Sequence, residues 1–166
     1  MFQVNNSAAI RLATTLATSD IKSLNLTFNQ IGDVGARAIA KALRATPALE
    51  ELGLGSNLIT DHGAAALAEA LEHEQSCLTF LNLSGNMIGD RGAAAVGEML
   101  EVNASLVEIC LDSNFIGVGG KDALSDGMYN NMSQSLEFVS LAGNVRSGLL
   151  YKQRENSLVT RIVWKT

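Results

Sequence analysis

The strongest constraint on the fold is a pattern of about 28 residues that the chain repeats five times. Each copy closes on an Asn, and these Asn residues are separated by 28, 29, 28 and 30 residues. The segments that they close read IKSLNLTFN, LEELGLGSN, LTFLNLSGN, LVEICLDSN and LEFVSLAGN. A fixed period of this length predicts one structural unit stacked on copies of itself, because a single unit cannot bury its apolar face alone.

Each repeat begins with a short predicted strand. Leu52 and Leu54 stand two positions apart, so an extended chain places both on one face, which must be the core face. In four repeats an apolar residue follows two positions after the Asn, and a Gly follows six positions after it. These residues are Ile31, Ile59, Ile88 and Ile116, and Gly35, Gly63, Gly92 and Gly120. The pattern predicts a strand and then a turn.

A helix is predicted after each turn, because the apolar spacing changes from two to three and four. In the first repeat the predicted buried stripe comprises Val34, Ala38, Ile39, Ala42 and Leu43. Asp33, Asp61 and Asp90 stand just before such stripes, where a carboxylate can accept backbone N–H bonds and complement the positive end of the helix. Many helix residues are alanines, so we expect the helices to pack closely against each other and against the sheet.

The combination of period, Asn, Gly and helical stripe resembles the ribonuclease-inhibitor-like class of leucine-rich repeats, which also occurs in Ran GTPase-activating proteins, NOD-like receptors and tropomodulins. The resemblance implies an α/β fold, a right-handed leucine-rich-repeat solenoid that forms a horseshoe arc, with parallel strands on the concave side and helices on the convex side. It also implies that the repeated Asn side chains form a hydrogen-bonded ladder between neighbouring turns. In this sequence the ladder residues are Asn29, Asn57, Asn86, Asn114 and Asn144.

The whole chain, residues 1–166, is interpreted as one leucine-rich-repeat domain with about five repeats in residues 21–144. Residues 1–20 are predicted to form an N-terminal helical cap that covers the first strand. Its helix is expected over about residues 7–18, with an apolar stripe formed by Ile10, Ala13, Leu16 and Ala17.

Residues 145–166 depart from the repeat and are interpreted as a C-terminal cap or tail. The segment VTRIVWK, which begins at Val159, is expected to add a last strand with Ile162 and Trp164 inward. If this end lacks a cap, a strand edge and part of the core are exposed, and such an edge invites pairing with another chain. Self-association through the C-terminal end is therefore a prediction.

The helix that follows Asn114 also departs from the pattern. Val118 replaces the Asp of the earlier repeats. The alanine stripe is diluted by Lys121, Gly127 and Tyr129. We expect this end of the array to be less stable, or to contact a partner or a continuation of the repeats.

The alternation of side chains along a strand predicts which residues face the concave surface. If Leu52 and Leu54 point into the core, then Glu51 and its equivalents point outward. Two of these equivalents, Phe80 and Phe138, are aromatic, whereas most other residues on this face are small or acidic. Exposed aromatic residues beside charged ones are typical of protein recognition patches. The alternative is that the two rings cover sheet edges or loops. The candidate protein-binding residues are Glu51, Phe80, Asn82, Glu108, Cys110, Asp112 and Phe138.

The signals for catalysis, cofactors and metals are weak. The segment FIGVGGKDA, from Phe115 to Ala123, differs from a P-loop, which requires GxxxxGK followed by Ser or Thr. Its glycines also lie where the repeat places turn glycines. His62 and His73 are a helix length apart and have no neighbouring Cys, so no metal site is predicted. We expect a non-catalytic protein without a cofactor.

The charge of the chain limits its partners. A formal net charge of −5 argues against nucleic acid and against an anionic membrane, because both require a basic face. No apolar run approaches the ~20 residues that span a bilayer, and the N-terminus does not read as a secretory signal. With only two cysteines and no disulfide framework, the sequence predicts an intracellular, cytoplasmic protein.

Charge is also divided along the chain. Residues 1–145 hold 16 acidic and 7 basic side chains, whereas residues 146–166 hold 5 basic and 1 acidic. The basic tail either binds an acidic surface, including that of another copy, or is a solvated end.

These features favour a protein–protein interaction module or scaffold that binds a protein partner through the concave strands. The extended concave face of a solenoid suits recognition, and no catalytic group is assembled in the sequence. Two alternatives remain open from the resemblance: a regulator of a small GTPase, as in Ran GTPase-activating proteins, and a segment of a larger receptor or cytoskeletal protein. The fold alone does not decide among these functions.

Overall fold

The computed structural model describes residues 3–46, 48–73, 76–131, 133 and 135–145, and the backbone of residues 161–163. In these residues five helices and six short strands follow one another. The helices are α1 (Asn6–Leu16), α2 (Asp33–Leu43), α3 (Asp61–Leu71), α4 (Asp90–Val102) and α5 (Val118–Asn130). The strands are β1 (Ser23–Asn25), β2 (Glu51–Gly53), β3 (Phe80–Asn82), β4 (Glu108–Cys110), β5 (Phe138–Ser140) and β6 (Arg161–Val163). The predicted alternation of strand and helix is confirmed.

The strands form one parallel sheet in chain order, with each strand beside that of the next repeat. The central residues pair across the sheet, so that Leu52 of β2 lies between Leu24 of β1 and Leu81 of β3. Parallel neighbours require a long crossover connection, and the helix of each repeat supplies it. The result is the open, stacked α/β arrangement that the repeat pattern predicts.

The last predicted strand is present in the backbone. β6 pairs with β5 in parallel, with Ile162 opposite Val139. Trp164 and the side chain of Ile162 lie outside the described residues, so their inward orientation and the association of this end with another copy stay predictions.

The core lies between the sheet and the helices. Leu52 and Leu54 are fully buried, as the alternation along the strand predicts. In α2 the buried residues are Gly35, Ala36, Ile39, Ala40, Ala42 and Leu43. The predicted stripe is wrong for Val34, which is exposed. Val34 lies in the first turn of α2, where the adjacent Gly35 and Ala36 occupy the buried face, so Val34 is turned to solvent.

The N-terminal helix α1 packs against α2, although the predicted stripe is partly wrong. The buried residues are Ala9, Ala13 and Leu16, whereas Ile10 is exposed. The reason is close packing: a Cβ built on Gly35 would lie 3.1 Å from the Cβ of Ala9. Only a small side chain fits between the two helices there, so the larger Ile10 is turned to solvent.

Asn side chains at the ends of the strands connect successive repeats by hydrogen bonds. Asn57 accepts a bond of 2.9 Å from the N–H of Ile31 in the preceding repeat. Its Nδ2 donates to the carbonyls of Leu26 and Leu54, at 2.9 and 3.0 Å. Asn29, Asn86, Asn114 and Asn144 make corresponding bonds. Each Asn thereby satisfies backbone groups of its own repeat, its neighbour or both.

A second ladder runs along the starts of the helices and differs from the prediction. The carboxylate of Asp33 accepts hydrogen bonds from the N–H groups of Thr60 and Gly63, at 2.8 and 3.0 Å, and therefore caps α3 and not its own helix α2. The same bond joins Asn6 to Gly35, Asp61 to Gly92 and Asp90 to Gly120. The sequence identified the capping residues correctly but assigned them to the wrong helix. The pattern within one repeat gives no information on which residues of the next repeat lie nearby.

Helices α4 and α5 pack through glycines. A Cβ built on Gly97 would lie 2.5 Å from the carbonyl oxygen of Ala123, and one built on Gly127 would overlap the carbonyl oxygen of Gly97. Gly127 is thus a buried contact residue and does not loosen the packing of this helix, contrary to the interpretation that it dilutes the alanine stripe. The two backbones approach more closely than alanine would allow.

Candidate protein-binding surface

Four exposed or half-buried side chains form a row across the concave face. The register pairs Glu51 with Phe80, Phe80 with Glu108, and Glu108 with Phe138, so carboxylates and rings alternate on four adjacent strands. Neighbouring strands are ~4.8 Å apart, so the row spans roughly 15 Å. We call these four residues the concave row.

A shallow depression lies in the concave row around Phe80. It is lined by Glu51, Thr79, Phe80, Val107 and Glu108 and is broadly open to solvent. An open depression of this kind does not enclose a small ligand, because ligand pockets bury most of the ligand surface. It can receive one protruding side chain from a partner.

The concave row is negative and its carboxylates are held in place. Glu51 accepts a hydrogen bond of 2.8 Å from the hydroxyl of Ser23, and Glu108 is contacted by the Cys110 thiol at 3.4 Å. On β1 to β5 the residues that share this face, at the three outward positions of each repeat, include no Lys or Arg. The ring of Phe80 therefore lies between two carboxylates, whereas Phe138 lies between Glu108 and, in the register of β6, Arg161.

The other predicted site residues are engaged in the structure of the sheet. Asn82 accepts a hydrogen bond of 2.9 Å from the N–H of Ser84. Asp112 accepts a bond from the hydroxyl of Ser140 and one of 2.6 Å from the N–H of Ala142. Asn82 and Asp112 therefore bond to the backbone near the ends of the strands. The concave row carries the rings and the Glu carboxylates.

Cys110 is a poor nucleophile. Burial raises the pKa of its thiol to about 12, and the hydrogen bond to Glu108 and the charges of Glu108 and Asp112 act in the same direction. The thiolate, which is the reactive form, is therefore rare at neutral pH. Cys110 contributes a half-buried polar surface and no reactive group.

The glycine-containing segment at the start of α5 does not offer a phosphate site. The N–H groups of Gly117 and Gly120 donate to the Asp90 carboxylate at 2.6 and 3.0 Å. A helix N-terminus binds anions through such N–H groups, and here a carboxylate of the protein occupies that position. His62 and His73 are both exposed. Within the described ranges, no three His, Cys, Asp or Glu side chains are grouped to hold a metal ion.

A second row of exposed side chains was not recognised in the sequence. Leu58, Met87, Phe115 and Val145, which we call the exit row, each follow a ladder Asn directly and are 42% to 63% exposed. The signal was an apolar residue at the same place in four consecutive repeats. It was missed because the buried Ile that follows in three of these repeats explains the apolar pattern by itself.

Comparisons with known proteins agree with the repeat architecture. A sequence model of the family described as Leucine Rich repeat matches residues 19–40 and 74–97. A solved structure described as leiomodin-1 actin-binding site 2 is similar, with a TM-score of 0.66 and 25% sequence identity, and covers 79% of this chain and 76% of that one. No curated protein matches the chain significantly.

A second solved structure, an internalin from Listeria monocytogenes, matches with 19% identity and a TM-score of 0.39. The match covers 81% of this chain but 44% of the internalin, and at this level of similarity it carries no argument. Among the described residues, no helix combines the length and the apolar character needed to cross a membrane.

Proposed function

We propose that this leucine-rich-repeat protein is a non-catalytic protein-binding module that recognises its partner through the concave row. The observation that supports this most directly is the register of β2 to β5, which brings Glu51, Phe80, Glu108 and Phe138 into one line. Aromatic side chains in the centre of a patch supply much of the energy of many interfaces. Their position on a rigid sheet lowers the entropy lost on binding.

The chemistry of the row favours a partner that presents Arg or Lys. A guanidinium group placed over the ring of Phe80 would gain a cation–π contact and could also bond to the carboxylates of Glu51 and Glu108. The concave positions of β1 to β5 carry no cation, and Arg161 of β6 pairs with Phe138, so the part of the row that suits such a partner is Phe80 with the carboxylates of Glu51 and Glu108. The partner surface is therefore expected to be basic where it meets the row.

The likeness to leiomodin-1 suggests the first partner to test. The name of that structure assigns actin binding to leiomodin-1, and the shared fold covers most of both chains. Actin is therefore our candidate partner, and a cytoplasmic location is part of the same proposal.

The experiment measures binding of purified monomeric and filamentous actin to the intact 166-residue chain. Phe80→Ala with Phe138→Ala and, separately, Glu108→Lys test the concave row. Glu98→Lys, on the exposed side of α4, is the control for the charge change. We expect the first two variants to lose at least tenfold in affinity and the control to bind like the parent chain.

A pull-down from a eukaryotic cell extract tests the surface for partners other than actin. Proteins that the parent chain and Glu98→Lys capture, and that both concave variants lose, support the row as the site. Equal capture of the same proteins by parent and concave variants, with all chains folded by circular dichroism, contradicts it.

A further inference from the structure

The first strand of the sheet has an open edge. On the side of β2, the carbonyl of Lys22 accepts a hydrogen bond of 2.9 Å and the N–H of Leu26 donates one of 2.7 Å. Backbone groups of alternate residues in a strand point to opposite sides, so the N–H and C=O groups of Ser23 and Asn25 point away from β2. Among the described residues no strand lies beside them, because β1 is at the end of the sheet. Such an edge is a template for one further strand.

Apolar residues at core positions of the first repeat are uncovered at this edge. Ile21 is 40% exposed. Its equivalents in the other repeats are at most 6% exposed: Leu49, Leu78, Leu106 and Leu136. Leu24 is half-buried because α1 covers it only in part, whereas Leu52 at the same position of β2 is fully buried. A further strand would therefore gain backbone hydrogen bonds and would also bury apolar surface.

Residues 4–16 form the turn and the helix of a repeat-like unit beside β1. The N–H of Val4 donates to Oδ1 of Asn29 at 2.7 Å, as the N–H of Ile31 donates to Oδ1 of Asn57 at 2.9 Å. Helix α1 then packs against α2 as each later helix packs against its neighbour. The strand of this unit, beside β1, is not among the described residues. The position beside β1 therefore suits a strand that a turn and a helix already flank.

The other end of the sheet has the complementary backbone pattern. β6 pairs with β5 in parallel, with Ile162 opposite Val139. By the alternation that β1 shows, the N–H and C=O groups of Ile162 point away from β5. The edge of β6 therefore matches the edge of β1 in the register of every junction of the sheet. We propose that the chain self-associates head to tail, with β6 of one copy paired in parallel to β1 of the next and Ile162 opposite Leu24.

Charge favours pairing of unlike ends. Residues 146–166 hold 5 basic side chains and 1 acidic side chain. Residues 3–25 and 49–53, which include α1, β1 and β2, hold three acidic and two basic side chains, and one of the basic ones, Lys22, is paired with Glu50 at 2.7 Å. Two C-terminal ends would bring like charges together, whereas the two different ends carry opposite net charge. Salt should weaken the association.

The first measurement is the mass of the intact chain by analytical ultracentrifugation, from micromolar to millimolar concentration. Head-to-tail pairing leaves an open β1 edge and an open β6 edge on every assembly, unless a ring closes. The average mass should therefore rise beyond that of a dimer as the concentration increases. Pairing of two like edges would instead stop at a dimer and would overturn the proposal.

Proline variants close one edge at a time. Ser23→Pro and Ile162→Pro each remove an N–H that points out of the sheet, where proline is tolerated. Each variant alone should associate at least tenfold more weakly than the parent chain. A mixture of the two should form a 1:1 dimer and nothing larger, because one partner keeps an open β6 and the other keeps an open β1. Ser23→Ala and Ile162→Val keep the N–H groups and should associate like the parent chain.

Amide hydrogen exchange in the parent chain tests the register without any substitution. Between micromolar and millimolar concentration, exchange at Ser23, Asn25 and Ile162 should slow at least tenfold, because their N–H groups become hydrogen-bonded between copies. The N–H of Leu24 points to β2, so its rate should change less. Slower exchange at Ser23 and Asn25 without a change at Ile162 would show that β6 is not the partner strand.

Other results would also overturn the proposal. One is a monomer at millimolar concentration in low salt. Another is self-association of either proline variant with the strength of the parent chain. A third is a mixture of the two proline variants that stays monomeric, although circular dichroism shows both chains folded and the parent chain associates.

Discussion

The carboxylate of Asp33 accepts a hydrogen bond of 3.0 Å from the backbone N–H of Gly63, 30 residues later in the chain. The bond joins the start of one helix to the start of the next, and the same contact recurs in the neighbouring repeats through Asp61 and Asp90. A helix N-terminus carries unsatisfied N–H groups and a partial positive charge, both of which a carboxylate compensates. Each repeat therefore completes the helix of its neighbour.

Gly63→Ala should destabilise the protein. The added Cβ would lie 2.6 Å from Oδ1 of Asp33 and 2.7 Å from Cγ2 of Ile59, so the capping contact must shift. Overpacking of this kind costs about 1 to 3 kcal/mol in the free energy of unfolding, which urea denaturation measures. Gly119→Ala is the control, since its Cβ would be no closer than 3.4 Å to its neighbours in an exposed helical turn. It should stabilise the protein by about 0.5 to 1 kcal/mol, as Gly to Ala does in helices.

Protonation of Asp33 in acid should lower the free energy of unfolding of the protein. Burial raises the pKa of this carboxyl, but hydrogen bonds from the Thr60 hydroxyl and from the N–H groups of Thr60 and Gly63 outweigh burial, so its pKa is lowered from the ordinary 3.8. A lowered folded-state pKa means that the ionised group stabilises the fold above pH 3.8, and that this stabilisation is lost as the pH falls through the folded-state value.

Asp33→Asn should remove this acid sensitivity and lower the stability at pH 7, because the amide keeps an acceptor oxygen but loses the charge that stabilises the fold. An amide oxygen can accept the same bonds, as Asn6 does from Gly32 and Gly35. Thermal unfolding of both chains between pH 2 and 7 is the measurement. If the two chains lose stability in parallel below pH 4, Asp33 is not responsible.

Asn86→Ala, at a buried ladder position, should cost more than substitution of an Asn on the concave face. The buried side chain accepts from the N–H of Ile59 and donates to the carbonyls of Leu54 and Leu83, and Ala would leave these groups without a partner. Each buried polar group left unsatisfied costs about 1 to 3 kcal/mol, so we expect a loss of about 3 kcal/mol or more.

Asn82→Ala is the matched control for Asn86→Ala. Asn82 lies four residues earlier, is half-buried on the concave face, and accepts one local bond from the N–H of Ser84. Its loss should cost about 1 kcal/mol or less in the free energy of unfolding. Equal losses for the two variants would contradict the role of the buried ladder.

The sequence predicted correctly the features that depend on the residues of a single repeat. It did not predict the contacts between helices of neighbouring repeats. The buried positions of each strand follow from alternation. The register follows from the position of each residue relative to the Asn that closes its segment, so the line of Phe80 and Glu108 could be predicted. Two contacts depend on the distance between neighbouring helices, which the sequence of one repeat does not determine. They are the cap that Asp33 provides for the next helix and the contact of Gly97 with Gly127.

The exit row illustrates a different limit of sequence analysis. Leu58, Met87 and Phe115 are apolar, and apolar residues in a repeat are expected in the core. Whether the first or the second residue after the Asn is buried depends on the turn that begins there. Residues with positive φ occur at this turn in neighbouring repeats, such as Ser56 at 51° and Gly85 at 68°.

Cys110 should react slowly with iodoacetamide, because burial and Glu108 raise the pKa of its thiol to about 12. At pH 8 only a small fraction is thiolate, so the exposed Cys77 should be alkylated at least tenfold faster. Mass spectrometry of peptides after timed alkylation gives both rates. Glu108→Gln removes one of the negative charges that oppose ionisation and should speed reaction at Cys110. An unchanged rate at Cys110 in this variant would show that Glu108 does not act on the thiol, and would weaken the case for a negative field at the centre of the concave row.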